Sequence, residues 1–389
     1  MGLRDFHPAV LATALATFVS FLGIGVVDPI LPSIAREMGA SHFMVMFLFT
    51  SYLLVMGLSN LFAGALATRI GSKNTMLLGI AIVAVFAGAC SLVSTIESLA
   101  VLRGFWGLGN ALFTTTALAI IVGVAAGNSE TAITLYEASL GFGIACGPLL
   151  GGLLGAQSWR LPFAGTSILM IIAFGFVVAT VTEPDAERQQ GVRDIVGTFR
   201  HTGVLTNAVI GLLYTFGFFT LLAYTPLILG LGTLQIGLVF FAWGLFVIVG
   251  SAVLSPRLNR RFGTPEVTGG ALAAFAGILC LMWLSSGNSG ALSGLVIVGG
   301  LFCGILNANL STLAMSISSH SRSAASGAFN SLRFTGGAFA PITAGYLSQH
   351  YAATVPFLLG ALAVVVGLVV LLGRFSDFRF SEPEPATGH

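Results

Sequence analysis

Charge is what this sequence has least of. Of 389 residues, 16 are basic and 14 acidic, 8% of the chain, where a soluble domain carries about 25%. So few ionic groups leave the surface of a soluble globule of this size uncovered. A net charge of +2 gives no electrostatic footprint for nucleic acid. Cysteine is also scarce. Cys90, Cys146, Cys280 and Cys303 all lie inside apolar runs, without metal-ligand spacing or a secreted-type disulfide framework. The six histidines fall at expected helix ends or in loops, and no nucleophile–base–acid set accompanies them. A glycine-rich phosphate loop with lysine is missing too, so ATP binding through such a loop is excluded. These absences argue against an enzyme, and no cofactor or metal is expected. What is abundant is apolar: 56% of residues are hydrophobic and mean hydropathy is +0.97. That excludes a disordered chain. The remaining class is an all-α integral membrane protein. Its first apolar stretch, from about Pro8 to Ile34, is too long for a signal-peptide core of roughly 7–15 residues.

A bilayer core of about 30 Å takes about 20 apolar residues in a helix. Division at polar or Gly/Pro-rich breaks predicts spans over 9–36, 44–67, 74–95, 97–124, 130–156 and 159–181. A second set follows over 203–229, 234–256, 266–286, 291–317, 322–347 and 354–373. Twelve transmembrane helices therefore fall into a six-helix half over 1–182 and another over 203–373. A polar linker over 183–202 joins them and a polar tail occupies 374–389. With the N-terminus inside, twelve arginines and lysines lie on the cytoplasmic side, against Arg36 and Arg160 outside. The positive-inside rule then places both termini in the cytoplasm.

The two halves repeat one another. Leu66-Ala67-Thr68-Arg69-Ile70-Gly71 after span 2 is matched by Leu258-Asn259-Arg260-Arg261-Phe262-Gly263 after span 8, at a spacing of 192. Gly143, Pro148 and Gly152 in span 5 are matched by Gly336, Pro341 and Gly345 in span 11, at a spacing of 193. Duplicated six-helix halves are a transporter architecture, with a site expected near the midplane between them.

Four motifs add a family resemblance over essentially the whole chain. The loop Gly64-Ala65-Leu66-Ala67-Thr68-Arg69-Ile70-Gly71-Ser72-Lys73 resembles the G-x-L-A-D-R-x-G-R-K loop of the major facilitator superfamily. Arg103 to Gly107 in span 4 is similar to that family's R-x-x-x-G. Gly143-Ile144-Ala145-Cys146-Gly147-Pro148-Leu149-Leu150-Gly151-Gly152 resembles the exporters' G-x-x-x-G-P-x-x-G-G, and Asp28 to Pro32 the D-x-x-x-P of drug exporters. The resemblance is to the twelve-helix drug:proton antiporter branch. It implies export and proton coupling, with Gly64, Arg69 and Gly71 in a gating loop. Thr68 and Ser72 replace the loop's usual aspartate and second basic residue, so proton coupling is expected elsewhere.

Four charges are committed to the membrane interior: Asp28, Arg103, Glu137 and Arg333. Each costs about 2.5–3.5 kcal/mol near a bilayer centre on insertion scales, so each requires a partner or a watery cavity. Asp28 and Arg103 are expected to pair, either as a static bridge or as a titratable couple that responds to helix movement. Glu137 either snorkels to the interface or serves as a second protonation or cation-recognition site. Arg333 either neutralises a carboxylate or bonds carbonyls, or it gates or attracts an anionic substrate group. Gly143, Gly147, Pro148, Gly151 and Gly152 read as a hinge or a tight packing seam. Aromatic residues crowd spans 7 and 8, with Tyr214 and Phe218 sharing a face at i,i+4 and Trp243 nearby on span 8. They suit a flat lipophilic ligand or serve as packing. Asn307 and Asn309 lie on different faces, so at most one points into a cavity; Asn307 is the substrate candidate.

The reading favoured is a monomeric secondary transporter in a cytoplasmic membrane, exchanging protons for a lipophilic small molecule. The rivals are an exporter of a polar metabolite, such as a sugar or amino acid, and a membrane receptor. The receptor would need a larger soluble output domain than the linker or tail provides.

Overall fold

The computed structural model describes residues 7–124, 129–183, 202–285, 287–316, 322–375 and 378. The linker residues that carry Arg188, Arg193 and Arg200 lie outside this set, as does most of the tail. Twelve long helices account for nearly all of it. The first half comprises α1 (Pro8–Glu37), α2 (His42–Ile70), α3 (Ser72–Cys90), α4 (Ile96–Val124), α5 (Ser129–Gly155) and α6 (Arg160–Thr180). The second comprises α7 (Thr202–Ile228), α8 (Thr233–Phe262), α9 (Thr264–Leu284), α10 (Ser289–Ser316), α11 (Arg322–His350) and α12 (Val355–Gly373).

Eleven of these are long and apolar enough to cross a membrane. The exception in composition is α11. Its 29 residues span about 44 Å at 1.5 Å per residue, so length is not the obstacle. Its polarity is tolerated because it packs against α2 and α7. A span enclosed by protein need not match the hydropathy of lipid.

Two boundaries differ from the expected ones for physical reasons. Span 3 ends at Cys90 rather than at 95. The carbonyls of Ser91 and Val93 instead accept from the Arg160 guanidinium, both at 2.8 Å. Span 8 runs on past Pro256 to Phe262, because a π-helical turn over Val249–Leu254 precedes it and Pro256 enters a fresh first turn. Pro lacks an N–H, and the first turn has no intrahelical partner for one.

The packing obeys the sequence repeat. In the first half α1 packs on α5 and α6, α2 on α4, and α3 on α4 and α6. In the second, α7 packs on α11 and α12, α8 on α10, and α9 on α10 and α12. Each pair maps onto its counterpart when six is added to the helix number. The halves meet through α2 against α11 and α5 against α8, which exchange under the same rule. Gly71 and Gly263, the paired loop glycines, both have φ of +91°. Only a residue without Cβ takes that conformation cheaply.

Between the halves, close contacts run from the end of the bundle opposite the termini to the middle of the helices. At that far end the Ser33 and Thr233 hydroxyls lie 3.2 Å apart, Gly152 faces Gly237, and Gly345 faces Phe43. Near mid-helix, Ser331 donates to the Gly57 carbonyl at 3.1 Å, and Gly141 meets Ile248. One turn closer to the termini than Gly141, Glu137 is exposed.

Candidate functional site

The glycines of α5 work as a seam on two sides. A Cβ at Gly143, Gly147 or Gly151 would strike the carbonyls of Phe18, Leu22 and Val26 respectively, so this stripe is where α5 lies directly on the α1 backbone. Gly152 points the other way, onto Gly237 and Thr233 of α8. Pro148 sits between, its ring against Gly25 and its carbonyl against Gly237. The helix runs unbroken through Pro148. The segment at Gly147-Pro148, where a bend is expected, is tightly packed on both sides. The second half has irregular backbone of its own, as π turns over Thr220–Tyr224 in α7 and Val249–Leu254 in α8. Such turns recur at functional sites.

In the first half, the chain kinks at Asp28–Ile30, a 3₁₀ turn entered through Pro29 and followed by Pro32. That break carries Asp28 into the core, 1% exposed, with both carboxyl oxygens free of hydrogen bonds. Arg103 is fully buried on α4, and none of its three side-chain nitrogens is hydrogen-bonded. Asp28 is among its electrostatic neighbours, together with Tyr52 and Cys90. The expected bonded Asp28–Arg103 pair is therefore absent. The guanidinium lies over two aromatic faces instead, 4.5 Å from the Tyr52 ring and 4.6 Å from the Trp106 ring. Cation–π attraction of this kind is worth about 2 kcal/mol when desolvated. Tyr52 is held by Asn110, whose Nδ2 donates to its hydroxyl at 2.5 Å, and Asn110 Oδ1 accepts from Ser20 at 2.9 Å. Tyr52, Asn110, Ser20 and Trp106 were not apparent as site residues. The available signal was Asn110, two turns after Arg103 on one helix face.

The second half gathers the remaining candidates. Tyr214, Phe218 and Trp243 form one buried cluster, with ring centroids 5.9 Å and 5.8 Å apart in sequence around it. The Tyr214 hydroxyl donates to the Cys303 carbonyl of α10 at 3.1 Å. In this conformation these rings meet each other rather than an open cavity. Arg333 is half-buried on α11; its Nη2 donates to Asn307 Oδ1 at 2.6 Å, and its Nε is buried without a partner. Its guanidinium carbon lies 5.8 Å from the Phe329 ring and 5.5 Å from that of Phe334. Asn309 is used elsewhere, as a fully buried tie between Ser255, Asn259 and Thr268. Of the two asparagines, Asn307 is thus the one joined to a charge.

The loop after α2 holds a substitution of its own. Thr68 donates back to the Ala65 carbonyl at 2.8 Å, and Arg69 is exposed. Gly64 is buried within α2. The acid that the motif lacks comes from Glu183, just past α6. Its two oxygens accept from the backbone N–H groups of Ser72 at 2.5 Å and Lys73 at 2.9 Å. A carboxylate there caps the first turn of α3 and meets the positive end of its dipole. Gly71 leaves the space it fills. Nothing in the local motif pointed to Glu183, which lies more than 100 positions away in sequence.

Comparison with known proteins bears on the family and the fold. The Major Facilitator Superfamily profile matches residues 13–341. The multidrug efflux protein YfmO of Bacillus subtilis is 46% identical over 374 residues, 95% of this chain and 94% of that protein. The tetracenomycin C resistance and export protein of Streptomyces glaucescens is 30% identical over 54% of this chain and 40% of its own. Among solved structures, a bacterial homologue of the lysosomal transporter Spinster, in an inward-facing and unoccupied conformation, superposes with a TM-score of 0.78 at 14% identity, covering 97% of this chain and 98% of that one. A D-xylose–proton symporter superposes with a TM-score of 0.75 at 16% identity, covering 93% and 96%. With twelve helices in two repeated halves, the α2–α11 and α5–α8 contacts between them, and a profile match over most of its length, this chain belongs to the major facilitator superfamily, a family of membrane transporters rather than enzymes.

Proposed function

We propose that the protein exports lipophilic small molecules from the cytoplasm by alternating access, driven by inward proton flow across a cytoplasmic membrane. Both termini and the linker face the cytoplasm in this reading, and the monomer is the working unit. Similarity to YfmO over 95% of the chain supports drug efflux. The bias of basic residues supports the orientation. With the far end closed and Glu137 exposed on the terminal side, the conformation corresponds to an inward-open carrier.

One observation carries the proton coupling. Asp28 is a buried carboxyl with no hydrogen bond, and it lies within electrostatic reach of a guanidinium that also has none. Such a carboxyl has two inexpensive states: protonated, or ionised and drawn onto the arginine. Helix motion that changes the separation of α1 and α4 selects between them, which links proton uptake to conformation. Glu137, exposed where the halves part, is a second site for protons or for a cationic substrate group. The aromatic cluster and Asn307 of the second half supply the substrate surface once the helices rearrange. The test is transport of a panel of dyes and drugs into everted vesicles with and without an imposed pH gradient. Accumulation that requires the gradient is expected; equal accumulation without it would remove proton coupling.

A further inference from the structure

Between Thr202 and Gly373 the sequence contains a single acidic residue, Glu266, at the start of α9. Arg333 is nevertheless held inside this half, half-buried at mid-helix, with no ion pair among the described residues and one hydrogen bond, to a neutral amide. Its buried Nε donates to nothing. A cation at membrane depth without a counter-ion is costly. It is retained here with its guanidinium against Phe329 and Phe334 and beside the Tyr214 cluster. Among the described residues this environment holds no anion, and beside the guanidinium it offers the half-buried ring of Phe334. A planar fork of N–H donors fits a carboxylate in a bidentate way that an ammonium cannot copy.

We propose that Arg333, positioned by Asn307, is an anion-recognition subsite, and that the substrates include amphipathic aromatic carboxylates whose rings pack on Phe334 while the carboxylate takes the guanidinium fork. The proposal rests on the exporter reading for its biological setting, but not for its test. Binding of pyrenebutyrate and of its methyl ester to the purified full-length chain is followed by pyrene fluorescence at neutral pH. The two probes share the aromatic body and differ in the anionic group. The carboxylate is expected to bind at least tenfold more tightly than the ester. Arg333→Gln should bring that ratio close to one in protein that elutes as a single species. Arg333→Lys keeps the charge but loses the fork, and the ratio should fall several-fold; it serves as the deciding variant if the glutamine form does not fold. A ratio near one in the unmodified protein overturns the subsite, as does a ratio that survives Arg333→Gln or is unchanged in Arg333→Lys. Vesicle uptake of the same probes is scored separately. If neither probe is transported while the binding preference is intact, the claim that such carboxylates are substrates is overturned and the anion subsite stands; the exporter reading is judged by the drug and dye panel.

Discussion

At the scale of single residues, the first half holds two buried ionisable groups that are near each other and unbonded. That separates this site from a structural salt bridge, where each charge satisfies the other. Replacing one member of a buried bonded pair costs about 3–5 kcal/mol through the charge left behind. Here Asp28 is not bonded to Arg103, so Asp28→Asn should insert and fold near normal levels. Its amide cannot release a proton, and gradient-driven efflux should drop to the level of leak or exchange while substrate still binds. Asp28→Glu keeps a titratable carboxyl and should retain part of the pH-dependent efflux. Vesicle transport against pH, beside a binding measurement, checks both. Full gradient-driven efflux by the Asn variant would shift the proton role to Glu137.

Helix by helix, α5 is the element on which both interfaces depend. Its glycine stripe seats α1 and its opposite edge seats α8. Gly147→Val places side-chain atoms against the Leu22 carbonyl and the Gly25 backbone. The overpacking should cost about 1–3 kcal/mol and lower the thermal midpoint of the purified protein. Pro148→Ala should fold normally and yet slow transport, because the helix regains a backbone donor and stiffens where α1 and α8 both touch it. Unchanged turnover in Pro148→Ala would leave the residue a packing role alone. In the loop after α2, Glu183→Gln removes a charge-assisted cap from α3. A loss of about 0.5–2 kcal/mol is expected, read as a lower melting temperature, and it should shrink at high salt. A salt-independent loss would point to shape rather than charge.

For the whole molecule, alternation requires the far end to open. Ser33 on α1 and Thr233 on α8 face each other there, with their hydroxyls 3.2 Å apart. Ser33→Cys combined with Thr233→Cys should cross-link under a mild oxidant and stop transport, with full recovery on reduction. Cross-linked protein that transports at the reduced rate would place the moving boundary elsewhere. Reporter fusions at Arg188 and after Arg374 should both report cytoplasm; a signal from the opposite side at either position would overturn the proposed orientation.

Apolar runs and the breaks between them marked out the helices of this protein, because a membrane span must satisfy its backbone internally and match bilayer length. Even the polar α11 was legible, as the segment left between breaks in the chain. The duplication was legible as well, while the structure decided which helices pack together, with close approaches at matching glycine positions. The four interior charges stood out for the same reason, their cost in lipid. Only the tertiary structure decided what each one touches. A guanidinium can be held by a carboxylate or by aromatic faces, and the sequence does not say which arrives first; Tyr52 and Trp106 hold Arg103 here. The cap on α3 comes from Glu183, brought close by the packing of α6 on α3 and by no local pattern. The aromatic residues of α7 and α8 fit either a ligand surface or a packed core by composition. Their mutual burial depends on how two helices rotate against each other, a matter of side-chain interlock that residue spacing on one helix does not specify.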